Sequence, residues 1–184
     1  MAMTRAELLA KIAGSSVSSG GTNLRDGRGR IVVKKLTLDD GYNGAKFTMD
    51  GVIVSSSKIP VTELATGKAL DITPNEPGTD VGWVQLLDKH DSAFGAVKGF
   101  VLSLFGEESS EVDNEDFVST LEELTSKNSA LGMQVDYSTF RKITRQNKVE
   151  IVLPKWAYVE QSETDIASMK KWLNELVAQQ KASA

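Results

Sequence analysis

Apolar positions along this chain recur in two rhythms, and each change of rhythm marks an element. Near the N-terminus Leu8, Leu9 and Ile12 form a short helical stripe that follows Thr4 and Glu7, at capping-box spacing, and stops at Gly14. Residues 15–23 (SSVSSGGTN) hold almost nothing that could join a core and read as a flexible tether. Residues 31–38 (IVVKKLTL) are rich in β-branched side chains, the turn formers of residues 39–44 (DDGYNG) follow, and residues 46–54 (KFTMDGVIV) form a second run. Two such runs around a dense turn predict a β-hairpin, with Gly51 marking a bulge or bend in its second strand. Residues 56–79 alternate little and carry Pro60, Pro74 and Pro77, which predicts a long excursion with at most a short extra strand. Residues 80–87 (DVGWVQLL) predict a third strand.

The period then shifts to 3.6. Ala93, Phe94, Val97, Phe100, Val101, Leu104 and Phe105 trace one helical face, with Asp91 or Ser92 placed as cap and Gly106 as stop. Phe117, Val118, Leu121 and Leu124 predict a second helix over residues 114–125. Alternation returns at Leu131, Met133, Val135 and Tyr137, a fourth strand running to about residue 143; residues 144–148 (TRQNK) make a polar turn and residues 149–156 (VEIVLPKW) a fifth strand. Ile166, Met169, Leu173, Leu176 and Val177 define a C-terminal helix capped by Ser162 or Thr164.

This order predicts a mainly β, α+β fold: a five-stranded OB-like Greek-key barrel whose open end is plugged by the most apolar helix, set between strands 3 and 4. The expected organisation is an N-terminal helix and tether over residues 1–23, the barrel over residues 24–160 and the added helix over residues 161–184.

Composition narrows the chemistry. The chain of 184 residues has room for one good core and contains no cysteine, which removes disulfides, thiolate nucleophiles and Cys-based metal sites. No apolar leader and no run approaching a membrane span stands out, so a cytoplasmic protein is expected. The formal net charge of −4 argues against coating of duplex DNA by bulk positive charge, yet charge is segregated. Every charged residue between positions 107 and 123 is acidic, whereas Arg25, Arg28, Arg30, Lys34 and Lys35 cluster near the first strand and Arg141, Lys142, Arg145 and Lys148 near the last hairpin. One basic face is therefore compatible with an acidic total.

A protein that holds single strands without reading sequence needs cations along the phosphates and flat side chains for the bases. An OB barrel presents its ligand on the face of strands 2 and 3, between the first and last hairpin loops. That places Tyr42 in the first loop, Phe47 and Trp83 on the two strands, Arg145 and Lys148 in the last loop and Arg141 and Lys142 leading into it. Arg28 and Arg30, among the glycines of LRDGRGR, are placed to wrap phosphate. Barrel core is the alternative for Phe47 and Trp83, because strand aromatics are more often buried than presented; a solvated hairpin is the alternative for the basic residues.

His90, the single histidine, lies in DKHD, where Asp91 is expected to cap the helix and His90 to be exposed. Consecutive turn residues rarely aim at one point, so no acid–base dyad is read there. Asp39, Asp40 and Asp50 lack calcium-loop spacing, and SSGGTN lacks the lysine and length of a phosphate loop. No enzyme, cofactor or metal motif is identified. The acidic stretch reads as a solvated loop entering a helix, with a docking strip or a mimic of phosphate as alternatives. Trp172, Leu173 and Leu176 read as a contact with a protein partner or a second subunit, since two other helices already supply the core; packing back on the barrel is the alternative.

Residues 78–108 (GTDVGWVQLLDKHDSAFGAVKGFVLSLFGEE), 132–140 (GMQVDYSTF) and 153–156 (LPKW) resemble a group of bacteriophage early proteins of the single-stranded-DNA-binding, OB-like type, over most of residues 20–160. The resemblance implies a phage-encoded accessory to DNA replication or recombination, working in the host bacterial cytoplasm. The acidic C-terminal tail usual in bacterial and phage proteins of this kind does not stand in this sequence, which ends AQQKASA, so tail-mediated recruitment of replication enzymes is not expected. Single-stranded DNA binding by phosphate contact and base stacking is thus the expected function. The alternatives are a phage protein-interaction module that inhibits or redirects a host or phage enzyme, and a virion structural component.

Overall fold

In the computed structural model, which describes residues 3–13, 24–39, 44–89, 91–108, 111–146 and 148–184, the two rhythms become strands and helices in the expected order. They are α1 (Arg5–Ala13), β1 (Arg28–Asp39), β2 (Lys46–Ser57), β3 (Val61–Thr62), β4 (Ala69–Leu70), β5 (Asp80–Leu86), α2 (Asp91–Phe105), α3 (Asn114–Ser126), β6 (Gln134–Ile143), β7 (Glu150–Tyr158) and α4 (Glu163–Ala182). The fold is α+β. Its five long strands form one antiparallel sheet in the order β5-β2-β1-β6-β7, and β3 and β4 make a separate small hairpin.

Among the described residues β5 and β7 share no backbone pairing, so the sheet is not closed into a barrel. It is nevertheless strongly coiled. A flat five-stranded sheet would hold its edge strands about 19 Å apart, yet the rings of Trp83 on β5 and Trp156 on β7 have centroids 5.4 Å apart. Two register slips between β1 and β2, at Arg30/Ile31 and Val33/Lys35, supply the added twist that a bulge brings. The second slip lies opposite Gly51, where a Cβ would come within 2.6 Å of the Ile31 side chain and 2.9 Å of the Val32 carbonyl.

The concave side of the coil is filled by aromatic rings. Phe100 of α2 stands 5.1 Å from Trp156, 5.2 Å from Trp83 and 6.1 Å from Phe47, centroid to centroid. The same core takes in α1, whose Leu8, Leu9, Ile12 and Ala13 are buried beside α2 and α3. Arg5 anchors that helix by donating to Glu122, Thr125 and the Leu38 carbonyl, and the Lys98 ammonium donates to the Ala13 carbonyl at 2.7 Å. The N-terminal helix is thus part of the core instead of an appendage, because α3 offers Phe117, Leu121 and Leu124, which need cover. The expected tether, residues 15–23, lies outside the described residues.

The convex side is covered in part by α4. Leu173 is buried against Val32 and Val52, with Met169, Trp172 and Leu176 packed around them. Before the helix begins, Gln161 bonds both ways to the backbone of Gln134, accepting from its N–H at 2.8 Å and donating to its carbonyl at 3.0 Å. Leu173 is buried and Trp172 and Leu176 are half-buried against their own sheet, the packing given as the alternative to a partner contact: Val32 and Val52 point away from the main core and require an apolar cover of their own. Among the described residues no helix is long and apolar enough to cross a membrane.

Candidate nucleic-acid interface

Paired residues of an antiparallel sheet share a face, so the register reads out rows of neighbours. On the convex side, Gln134, Val32 and Val52 form the row under α4. The next row is Ala157, Asp136, Arg30 and Ser55, and the one beyond it is Lys155, Ser138, Arg28 and Ser57. The surface thus turns from apolar to polar and basic within one step of the helix. These two rows line an open concavity of about 520 Å³. Along β6 and β7 the same face continues with Phe140 opposite Leu153 and Lys142 opposite Ile151. Gly29 permits the close approach of β1 to β2 here, since a Cβ would collide with the Ser55 carbonyl.

The cations of this strip are held differently. Arg30 makes a fork to Asp136, 2.7 and 3.2 Å, and the hydrogen bond raises its pKa. Arg28 donates to the Ser57 hydroxyl at 3.2 Å. Lys142 and Lys155 are exposed and, among the described residues, form no ion pair. Phe140, between Lys142 and Ser138 on this face, keeps 40% of its surface exposed. Comparison with protein-family models, curated proteins and solved structures found no match to this chain. The site is accordingly defined by its geometry.

Of the residues expected at the interface, Arg28, Arg30 and Lys142 share this one strip, and Arg145 and Lys148 are exposed at the β6–β7 tip beyond it, Lys148 with a left-handed φ of 50°. Phe47 and Trp83 do not belong to any surface. Both are fully buried, 5.9 Å apart and edge to face, because the inward set of β2 and β5 positions carries them into the coil. Tyr42 lies outside the described residues, as does His90. Among the described residues no group of three or more histidine, aspartate and glutamate side chains is placed to hold a metal ion.

Arg141 also departs from its expected role. Its guanidinium forks onto Asp26 at 3.0 and 2.9 Å and donates to Glu150 at 3.0 Å. Glu150 in turn accepts from the Leu64 N–H. The bonds to Asp26 and then to Glu150 push the arginine pKa up, and its charge is committed to tying β6, β7, the β3–β4 turn and the approach to β1 together. The physical reason is Asp26, whose side chain is only 5% exposed and requires a cation. Sequence reasoning missed Lys155, Phe140 and the serines of the two rows. The signal was present in β6, where the outward alternation Asp136, Ser138, Phe140, Lys142 sets one aromatic in an otherwise polar series.

This cluster gives the fold an acid limit. The Arg141 hydrogen bond, helped by the Leu64 N–H, holds the Glu150 carboxyl below its ordinary value of 4.5. The unfolded chain then binds that proton more tightly, so the contribution of Glu150 to stability is complete above 4.5 and is lost as pH falls through the lower folded-state value. The difference in Tm between wild type and Glu150→Gln, followed by circular dichroism from about pH 7 to about pH 3, is expected to shrink below pH 4.5. A difference that stays constant would show that Glu150 ionisation does not support the fold.

Proposed function

We propose that this protein binds single-stranded nucleic acid, single-stranded DNA foremost, along the convex face of β1, β6 and β7, without reading its sequence. The observation that carries the reading is exposed Phe140, set on one strand face between Lys142 and the Lys155, Ser138, Arg28 and Ser57 row. Cations take the phosphates, hydroxyls take phosphate oxygens, and the ring offers a base a platform; Arg30, restrained by Asp136, borders the path. The strip is narrow and the rest of the chain acidic, which favours one strand over a duplex. The reading includes a partly open barrel of OB type. In its favour, β6, β1, β2 and β5 lie side by side in the 4-1-2-3 order of a Greek key, and the coil brings the two edges into ring contact. A part in phage replication or recombination belongs to the same proposal.

The test is fluorescence anisotropy of labelled oligo-dT with the full chain at low salt. Phe140→Ala is expected to weaken binding by about 1–3 kcal/mol, roughly 5- to 150-fold, the range for one base stack. Arg28→Ala with Lys155→Ala should weaken all sequences alike and flatten the logarithmic salt slope by roughly 0.7 for each phosphate no longer neutralised. Equal affinity for duplex and single strand, or a slope unchanged in the double variant, would sink the reading.

A further inference from the structure

Clusters of exposed charge of opposite sign stand at the two ends of one strand. Gly106, which ends α2, lies against the Tyr158 ring at the C-terminal end of β7, so close that a Cβ would stand 2.9 Å from it. From Gly106 the chain runs into Glu107, Glu108, Glu111, Glu115 and Asp116, all exposed and none in an ion pair among the described residues. The other end of β7 leaves the hairpin that carries Lys142, Arg145 and Lys148, likewise exposed and without ion pairs among the described residues. Strand rise puts about 26 Å between these ends of β7, so the two clusters cannot neutralise one another within a chain. Each pole also shows apolar surface: Phe105 and Tyr158 beside the acids, Ile143, Val149 and Leu64 beside the bases. Leu64 is brought to the basic pole by its N–H bond to Glu150.

We propose that copies of this protein associate head to tail, the acidic pole of one on the basic pole of the next. Exposed apolar side chains beside unpaired charge of one sign are complementary to those beside unpaired charge of the other, and the opposite pole of a second copy has that composition. Two different surfaces meet, so the contact is heterologous and repeats unless rotation closes it into a ring.

The association is read without nucleic acid, so its failure and the failure of strand binding are separate results. Sedimentation of the full chain at about 10 mM salt, where the screening length is about 30 Å, should show a mass that rises with concentration, and at about 1 M salt, where it is about 3 Å, only monomer. Glu107→Lys with Glu108→Lys and Glu111→Lys should be monomeric at low salt, as should Arg145→Glu with Lys148→Glu. An equal mixture of the two variants restores complementary signs at every contact and should associate at least tenfold more tightly than either alone. A wild-type chain monomeric at every concentration in low salt, variants that associate like wild type, or a mixture that stays monomeric would each overturn the proposal.

Discussion

Replacing Arg141 by alanine is expected to lower stability by about 3 kcal/mol, or roughly 6–12 °C in Tm for a chain of this size. The substitution strands Asp26, a carboxylate almost without solvent, and removes the cation beside Glu150, the carboxylate that accepts from the β3–β4 turn. The figure is at the lower end for breaking a buried pair, because the Arg141 side chain keeps 18% of its surface exposed. Arg141→Lys should recover only part of it, since an ammonium cannot make the fork to Asp26 and the third bond to Glu150 together. Adding Asp26→Ala to Arg141→Ala should restore stability relative to the single variant, the mark of a coupled pair. Urea unfolding of the four proteins measures this directly. No recovery in the double variant would mean that Asp26 is not the charge that requires Arg141.

Phe100→Ala is expected to cost about 3–5 kcal/mol. Its ring is the hub at which α2 meets both edges of the sheet, touching Trp83 on β5 and Trp156 on β7. Among the described residues no backbone ladder joins those edges, so the ring contacts hold the coil at that seam, and the cavity left by alanine opens where the sheet has least to resist it. Oligonucleotide affinity measured well below the new Tm should stay within about twofold of wild type, as expected of a residue on the opposite side of the sheet from the strip. A large loss of affinity in the still-folded variant would move the binding surface to the concave side.

The elements were legible in the sequence where a period was long and unbroken, as in α2 and β6. What local pattern did not reveal was parity and cover. Arg141 and Lys142 are neighbours in the chain and read as one basic cluster, yet successive strand residues face opposite ways, so one is spent on Asp26 and the other stands on the strip. Phe47 and Trp83 fail as stacking platforms for the same reason, their parity being set by a coil that needs large rings inside. The seat of α4 did have a trace: Ile31, Val32 and Val33 are all buried, and three consecutive apolar residues in a strand demand cover on both faces. The place of α1 had none, since its stripe is short and the surfaces it meets, α2 and α3, lie some eighty residues or more farther on.

The pairing of β1 with β6 also sets when the basic face comes into being. Arg28 lies beside Ser138, about 110 residues later, and the row is finished only by Lys155 on β7. During synthesis, therefore, a ribosome must release most of the chain before this strip is complete, and a nascent fragment ending before β6 carries the arginines on the β1–β2 hairpin alone. Pairings so distant in sequence close slowly compared with local helices. The strip is therefore completed only when β7, the last strand of the sheet in chain order, takes its place beside β6.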